Sequence, residues 1–457
     1  HGWGTFDRRD ISGQMLAEEN SVEVKVTAPD PAPGESAGAK TVTAALAGLL
    51  KITRADGSTI RFPTGKQWQA RLDDESPWHK VQIVADLSDK RLGDPGQIPQ
   101  PAAYLRRVLE ISKPVQSARL HVTALGSYRA FLNGSRVGVD VLTPDFTDYR
   151  KRVLYQTYDV TQLLVPGKNV VSALLGDGWY GSGLTWAGVH FFSPPDHLIA
   201  QLEINYSDGS RDTVATDALW KAAASPIVRS DIYDGEFYDA RLEKIGWEKP
   251  GFDDSNWKAA VVADTPRIIL SSQMAAPARV ITTLAAKTVT PAANGAYIFD
   301  LGQNMVGWVT LKVKGAAGNR VRLRFAEILN SDGTIYTANL RNADATDVYI
   351  LRGGDEETFA PHFTFHGFRY VEVTGYPGAP ALEAIKGEVV SSVSGDPVAR
   401  IATSSDLVNR MWSIGIWGQR GNFLSIPTDC PQRDERLGWM GDAGVFWRTG
   451  SYNFDIA

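Results

Sequence analysis

Alternation of apolar and polar residues marks most of the chain up to about residue 395. Clear examples are residues 118–125, 153–160 and 306–313, and a period of two is typical of half-buried β-strands. Asn133 and Gly134 stand between two such runs, as the two-residue turn of a β-hairpin does. We therefore predict that the first four hundred residues are almost entirely β.

The period of the apolar residues changes at about residue 400. Residues 405–420 begin with Ser405 and Asp406, which are residue types favoured at the start of a helix. Apolar residues then recur at helical spacing, which places on one face Leu407, Val408, Met411, Trp412 and Ile414. A second helix is predicted over residues 444–452. The chain thus passes from sheets into a helical domain.

A pattern of twenty residues occurs twice. Residues 51–70 align without a gap on residues 203–222, at an offset of 152 positions, and share Ile, Asp-Gly-Ser, Thr, Trp and Ala. Each copy predicts a strand, a tight turn at Asp-Gly and a second strand that ends at a Trp. An acidic segment ending in Trp follows each copy, at residues 73–78 and 253–257. The sequence therefore predicts two related β-sandwich elements.

Composition and charge exclude several classes of protein. The 457 residues are enough for roughly two to four domains, and a net charge of −5 without basic runs gives no reason to expect nucleic acid as a partner. Apolar stretches fall short of the roughly 18 residues that a membrane span needs. Cys430 is the single cysteine, so an intramolecular disulfide and a Cys-based zinc site are excluded and a structural role is expected for it. The lack of an initiator Met favours an exported, processed chain.

Ionisable residues are concentrated between residues 429 and 442. The ionisable side chains of this segment are Asp429, Arg433, Asp434, Glu435, Arg436 and Asp442. Neighbouring carboxylates raise one another's pKa and guanidinium groups lower it, so one acid can hold a proton while another is ionised. Cleavage of a glycosidic bond requires that combination, and Trp439 offers a flat face for a sugar ring. A salt-bridge network that only fixes the crossing of the chain is the alternative interpretation.

The string Asp429-Cys-Pro-Gln-Arg-Asp-Glu-Arg-Leu-Gly-Trp-Met-Gly-Asp-Ala443 resembles the signature of the bacterial α-L-rhamnosidases of glycoside hydrolase family 78. Residues 143–160, 175–180 and 234–241 are similar to the N-terminal jelly-roll domain of that family, and the strands after residue 265 to its concanavalin-like domain. The resemblance implies an (α/α)6-barrel catalytic domain whose first helices end this chain. The predicted regions are a β region with the first repeat copy (1–100), a jelly-roll β-sandwich (101–262), a concanavalin-like β-sandwich (263–395) and the start of a truncated barrel (396–457).

The resemblance also implies roles in removing terminal α-L-rhamnose with inversion. Glu435 matches the general acid of the family. The catalytic candidates are Glu435, Asp429 and Asp442, and the substrate-binding candidates are Trp439, Arg433 and Asp434. Arg433 and Arg436 are expected to orient carboxylates, and Asp434 is undecided between site and scaffold.

Inversion needs a second carboxylate as base, and the family places that Glu far downstream, beyond residue 457 here. The chain alone is therefore expected to be inactive, with the C-terminal remainder of the catalytic domain as its partner. The expected substrates are rhamnose-containing glycosides, such as flavonoid glycosides or plant and bacterial polysaccharides. No cofactor is required, and calcium is left open without being predicted.

Two other classes of function stay open. One is a different helical-barrel enzyme, either another inverting glycosidase or a polysaccharide lyase, although a lyase would favour Tyr/His catalysis over an Asp/Glu motif. The other is a non-catalytic carbohydrate-binding protein. Asp177, Trp179, Tyr180 and Trp186 in the jelly-roll region invite that hypothesis, but Gly-Asp-Gly before aromatic residues is more often a tight turn with core packing.

Overall fold

The structure is a computed structural model of the chain. It describes residues 101–456 except 187–190, 193–194, 265–266, 293–294 and 394, together with the backbone of four short strands before residue 101. The chain divides into two compact units, His1–Ile98 and Pro99–Ala457.

The four described strands of the first unit form two antiparallel ladders. The strands are β1 (Leu49–Thr53), which pairs with β2 (Thr59–Pro63), and β3 (Gln69–Ala70), which pairs with β4 (His79–Lys80). The register of the first ladder equals that of the second repeat copy at the offset of 152, since Thr53 pairs with Thr59 and Asn205 with Arg211. The second ladder does not keep the offset: Ala70 pairs with His79 and Ala222 with Lys258, and Lys258 is not 152 positions after His79. The repeat in the sequence is therefore a repeat in strand pairing for its first hairpin.

Thirteen strands follow at the start of the second unit. In chain order they are β5 (Ala103–Ile111), β6 (Val115–Leu125), β7 (Ser127–Leu132), β8 (Ser135–Arg136), β9 (Arg152–Asp159), β10 (Gly167–Gly176), β11 (His197–Tyr206), β12 (Arg211–Ala215), β13 (Lys221–Ala224), β14 (Ile227–Asp231), β15 (Gly235–Asp239), β16 (Lys258–Ala259) and β17 (Ile269–Ser272).

Eleven of these strands form a β-sandwich. One sheet has the order β16-β13-β5-β10-β7-β8 and the other the order β12-β11-β6-β9-β17. Leu120, Leu132 and Ile204 are buried in its core, on alternate positions of their strands. Asn133 and Gly134 both have positive φ, 52° and 87°, and close the two-residue turn between β7 and β8 as predicted.

Eight further strands build most of a ten-stranded sheet. They are β18 (Arg279–Ala285), β19 (Thr288–Pro291), β20 (Tyr297–Val313), β21 (Arg320–Ala326), β22 (Thr346–Ile350), β23 (Glu357–Phe359), β24 (His366–Thr374) and β25 (Ile385–Ser391). The order is β14-β15-β22-β21-β24-β20-β25-β18, and β19 and β23 also pair with β20. Phe299, Phe325 and Phe368 are fully buried against it.

The two β modules exchange strands across residue 262, where the sequence placed their boundary. β14 and β15 precede that residue, yet β15 pairs in parallel with β22 of the ten-stranded sheet. β17 follows it, yet pairs in parallel with β9 of the sandwich. The modules are therefore interlocked by hydrogen bonds, and no single cut in the chain separates their sheets.

The chain becomes helical where its periodicity changes. After the one-turn α1 (Gly178–Gly181), the helices are α2 (Asp406–Asn422) and α3 (Met440–Asn453), with a small ladder of β26 (Phe423–Leu424) and β27 (Ile426–Pro427) behind α2. Ser405 is the N-cap residue of α2, but its side chain makes no capping hydrogen bond. α3 begins four residues before the predicted start, so Asp442 lies in its first turn. No helix in the described part of the chain is long and apolar enough to cross a membrane.

The helices α2 and α3 run antiparallel. Gln419 Nε2 donates to the carbonyl of Gly450 at 3.0 Å, and the ring of Phe423 near the end of α2 contacts Phe446 of α3. The apolar face predicted for α2 lies largely in solvent: Leu407 is 69% exposed and Met411 63% exposed. The described residues therefore form a mostly β structure with one helical pair whose outer face is uncovered.

Candidate active site

The acidic segment connects α2 to α3 and is contacted by three loops of the β modules. These loops are residues 182–186 after α1, residues 232–234 between β14 and β15, and residues 338–345 between β21 and β22. Each of them makes a hydrogen bond or a ring contact with residues 435–439. Residues from well-separated parts of the chain thus meet around the predicted signature.

Two arginines converge on one oxygen of Glu435. Arg433 Nε donates to Glu435 Oε2 at 2.8 Å, and Arg341 Nη1 donates to the same oxygen at 3.2 Å. Arg433 also reaches Asp429 Oδ2 with Nη2 at 3.4 Å. The two carboxylates are therefore joined through Arg433, as expected for a residue that orients them.

The two acids differ in proton affinity. Burial raises the pKa of Asp429; its hydrogen bond with Cys430 opposes the rise and the negative charge of Glu435 adds to it. Burial acts in the same direction on Glu435, but the hydrogen bond and charge of Arg433, with the charge of Arg341, leave its pKa below the usual value. The cluster therefore favours the protonated form of Asp429 and the ionised form of Glu435 relative to the same groups in water.

Cys430 lies between the carboxylates without the properties of a nucleophile or a metal ligand. The possible ligand atoms of Asp429, Cys430 and Glu435 are within 4.8 Å of one another. However, burial raises the pKa of the Cys430 thiol to about 11, and the guanidinium of Arg433 already balances the carboxylates. This set of side chains fits an ion-pair cluster better than a cation site.

Arg436 fixes the loop from inside the protein. Its side chain is 0% exposed and donates to backbone carbonyls alone; the acceptors are Ile232, Phe365, Gln432 and Arg433. The guanidinium lies between the rings of Tyr233 and Phe365, about 5 Å from each. Arg436 was expected to orient carboxylates; instead it ties the backbone of the acidic segment to residues next to β14 and β24 of the ten-stranded sheet.

Asp434 hydrogen-bonds to a loop of the ten-stranded sheet. It is buried, and its Oδ2 accepts from the backbone N–H of Asn342 at 3.2 Å. The side chain of Asn342 in turn donates to the carbonyl of Trp186 at 3.4 Å. The contact of Asp434 is thus with the loop between β21 and β22, and its part in substrate binding stays a prediction.

Trp439 is paired with a second tryptophan. Its ring lies nearly parallel to that of Trp186, with centroids 5.8 Å apart and 18° between the planes. Two other aromatic residues of the carbohydrate-module hypothesis, Trp179 and Tyr180, are buried in the hydrophobic core that also contains Phe299 and Phe325. They are core-packing residues at a tight turn, and Trp186 alone of the three rings is open to solvent.

Asp442 stands apart from Glu435. It occupies the first turn of α3, where a carboxylate interacts favourably with the helix N-terminus. Within the described residues, no hydrogen bond or ion pair joins it to another side chain. Asp442 and Asp429 both line a cavity of about 730 Å³ between α2 and α3, so the structure brings these two acids to one concave surface.

Three residues of this constellation have no signal in the sequence. Arg341 is 94 positions from Glu435 and Tyr233, whose hydroxyl donates to the carbonyl of Glu435 at 2.6 Å, is 202 positions away. Asn342 likewise belongs to a loop that no motif marks. Only the strand pairing of the β modules brings these loops to the acidic segment.

Three domain families match the chain. The α-L-rhamnosidase N-terminal domain matches residues 113–282, the bacterial α-L-rhamnosidase concanavalin-like domain residues 290–391, and the bacterial α-L-rhamnosidase 6 hairpin glycosidase domain residues 396–457. The matches follow one another in the order that the sequence resemblance implied.

Individual proteins agree with these matches. An α-L-rhamnosidase of Streptomyces avermitilis is 48% identical over 393 residues, which are 85% of this chain and 38% of that protein. One from Formosa agariphila is 41% identical over 413 residues, covering 89% of this chain and 44% of that protein. The crystal structure of Streptomyces avermitilis α-L-rhamnosidase complexed with L-rhamnose superposes with a TM-score of 0.81 at 44% identity, covering 89% of this chain and 41% of the other. The chain spans about two fifths of the length of these proteins.

Proposed function

Because the chain belongs to the bacterial α-L-rhamnosidases of glycoside hydrolase family 78, we propose that it supplies the general-acid side of a site that removes terminal α-L-rhamnose with inversion. The observation that carries the proposal is the pair of carboxylates, Asp429 and Glu435, held by Arg433 beside Trp439. A protonatable acid, a fixed partner charge and a flat ring face are the elements that such a reaction needs.

In the proposed reaction Glu435 protonates the glycosidic oxygen as the bond to rhamnose breaks. In the free site burial favours the protonated form of Asp429, while Arg433 and Arg341 favour the ionised form of Glu435. When a rhamnose hydroxyl accepts the hydrogen bonds of Arg433, the interaction between Arg433 and Glu435 weakens and the pKa of Glu435 rises. The proton then moves from Asp429 to Glu435. Trp439 packs on the C–H face of the sugar, and Asp442 accepts from its hydroxyls.

The general base is proposed to come from further helices of the catalytic domain. The exposed apolar faces of α2 and α3 support this, since Leu407, Ile414, Val445 and Trp447 offer surface for neighbouring helices. An inverting site requires the base roughly 6.5–9.5 Å from the acid, with a water between base and sugar. α2 and α3 would be the first hairpin of an (α/α)6 barrel.

The proposal is tested with the full-length protein on p-nitrophenyl α-L-rhamnopyranoside and a panel of other nitrophenyl glycosides. Hydrolysis confined to the rhamnoside, with β-L-rhamnose as the first anomer seen by NMR, is the expected result. Release of the α-anomer would contradict inversion. Rhamnose binding without hydrolysis would move the protein to the carbohydrate-binding class.

Removing the charge of Arg341 is expected to extend activity to higher pH. A nearby cation favours the ionised carboxylate, so Arg341→Gln raises the pKa of Glu435, and the acid stays protonated to higher pH. Because Arg341 is half exposed, we expect the alkaline limb of kcat/KM to move up by roughly 0.5 to 1 pH unit. The measurement is the pH profile of p-nitrophenyl rhamnoside hydrolysis.

Arg352→Gln is the matched control for this prediction. Arg352 is equally exposed and pairs with Glu243, outside the candidate site. We expect Arg352→Gln to have the same pH profile of hydrolysis as the wild-type protein. A downward shift in Arg341→Gln, or the same shift in both variants, would contradict the role given to Arg341.

A further inference from the structure

The loop that carries Trp186 holds a large apolar ring in solvent. Trp186 is 53% exposed, while Leu184 two residues earlier is completely buried. Thr185, between them, has a φ of 65°, a conformation that β-branched residues rarely adopt. A strained backbone that directs an aromatic ring outward is a feature of functional loops more often than of packing.

Hydrogen bonds fix the backbone of this loop relative to Glu435 from two sides. The hydroxyl of Tyr233 accepts from Thr185 N at 3.4 Å and donates to the carbonyl of Glu435 at 2.6 Å. Asn342 donates with its side chain to the carbonyl of Trp186 and with its backbone to Asp434. The position of Trp186 is thus tied to the two residues at the centre of the acidic segment.

The ring of Trp186 stacks on that of Trp439. The planes differ by 18° and the centroids are 5.8 Å apart, and because Trp186 is half exposed the aromatic pair extends from the proposed rhamnose position towards solvent. Arg341 precedes Asn342, which donates to the carbonyl of Trp186, and it holds a half-exposed guanidinium at Glu435 Oε2. Since the general acid faces the oxygen of the leaving group, the groups that surround Glu435 on its solvent side face that leaving group.

We propose that Trp186 and Arg341 form the leaving-group subsite, which takes the ring bonded to rhamnose. The inference rests on the proposed function and adds to it the part of the substrate that is not rhamnose. Trp186 stacks on a flat ring face, which both an aromatic aglycone and the C–H face of a second sugar provide. The donors of Arg341 meet hydroxyls of that ring once the substrate has entered.

Trp186→Ala in the full-length protein tests the subsite with three substrates. They are p-nitrophenyl α-L-rhamnopyranoside, a rhamnosyl-glucose disaccharide and methyl α-L-rhamnopyranoside, which has no ring in its leaving group. We expect kcat/KM to fall roughly 3- to 10-fold on a ring-bearing substrate, as for loss of an aromatic contact. We expect no change on the methyl rhamnoside and no change in inhibition by free rhamnose. A larger loss on the disaccharide identifies a sugar as the preferred occupant, and a larger loss on the aryl rhamnoside an aromatic ring.

Two further variants keep the test specific. Trp186→Phe retains a flat ring and is expected to recover most of the lost kcat/KM. Ile245→Ala removes an exposed apolar side chain elsewhere in the β modules and is expected to change nothing. Equal losses on all three substrates, or none on any, would overturn the subsite while leaving the proposed function intact. A wild-type protein that cleaves no rhamnoside would overturn the proposed function and this inference with it.

Discussion

Glu435→Gln is expected to lower kcat on an alkyl or sugar rhamnoside by roughly 10²- to 10⁴-fold, the usual cost of removing a general acid. Gln keeps the size of the side chain and can still accept from Arg433 and Arg341, but it has no proton to give. The loss should be smaller on p-nitrophenyl rhamnoside, because nitrophenolate leaves with less help from an acid. The measurement is the ratio of wild-type to variant kcat across leaving groups of different pKa.

Asp429→Asn is the informative comparison, because burial raises the pKa of Asp429 while the arginines lower that of Glu435. If Asp429 supplies the proton that Glu435 gives, its variant shows the same dependence on the leaving group in weaker form; if Asp429 only binds the sugar, its variant slows all leaving groups alike. A dependence on leaving group in Asp429→Asn and not in Glu435→Gln would reverse the two roles. Glu356→Gln removes an exposed carboxylate that pairs with Lys312 and is expected to retain wild-type activity.

Arg436→Met is expected to destabilise the protein by about 3 to 5 kcal/mol and to reduce kcat together with stability. The guanidinium is wholly buried, and its removal leaves four backbone carbonyls without their charged donor. Two of these hydrogen bonds go to Gln432 and Arg433 within the acidic segment. The other two connect the segment to Phe365 and Ile232. The measurements are the thermal unfolding midpoint and kcat of the same preparations.

Arg436→Lys retains the charge with fewer donors in a fixed geometry, so its stability and kcat should lie between those of Arg436→Met and wild type. Arg400→Met provides the control, since Arg400 is exposed and, among the described residues, is paired with Asp396 alone; we expect a change within about 0.5 kcal/mol. An Arg436→Met protein with the wild-type unfolding midpoint would contradict the bracing role.

The predictions that succeeded rest on local patterns. Alternation identified β6, β9 and β20, and the Asn133-Gly134 turn followed from the positive φ that both residues tolerate. The helix at α2 followed from its period, but no property of that segment tells which face will meet a neighbour, and the predicted apolar face is exposed.

The candidate site likewise contains residues that the sequence could identify and residues that it could not. Glu435, Asp429 and Arg433 could be found because they are adjacent in the chain, whereas Arg341 and Tyr233 reach Glu435 through strand pairing over long separations. The sequence also could not assign the protonation of the two acids. That depends on the burial of Asp429 and on how Arg433 divides its donors between them.

The exchange of strands between the β modules limits how such proteins can be recombined. β14 and β15 are encoded with the sandwich but complete the ten-stranded sheet, and β17 is encoded later but closes the sandwich. A chimera joined at residue 262 therefore pairs strands from different parents at two sheet edges at once. Because the loop between β14 and β15 also carries Tyr233, the same junction would mismatch the contact to Glu435. Both β modules and the helical segment 396–457 should therefore be inherited, and transplanted, as one block.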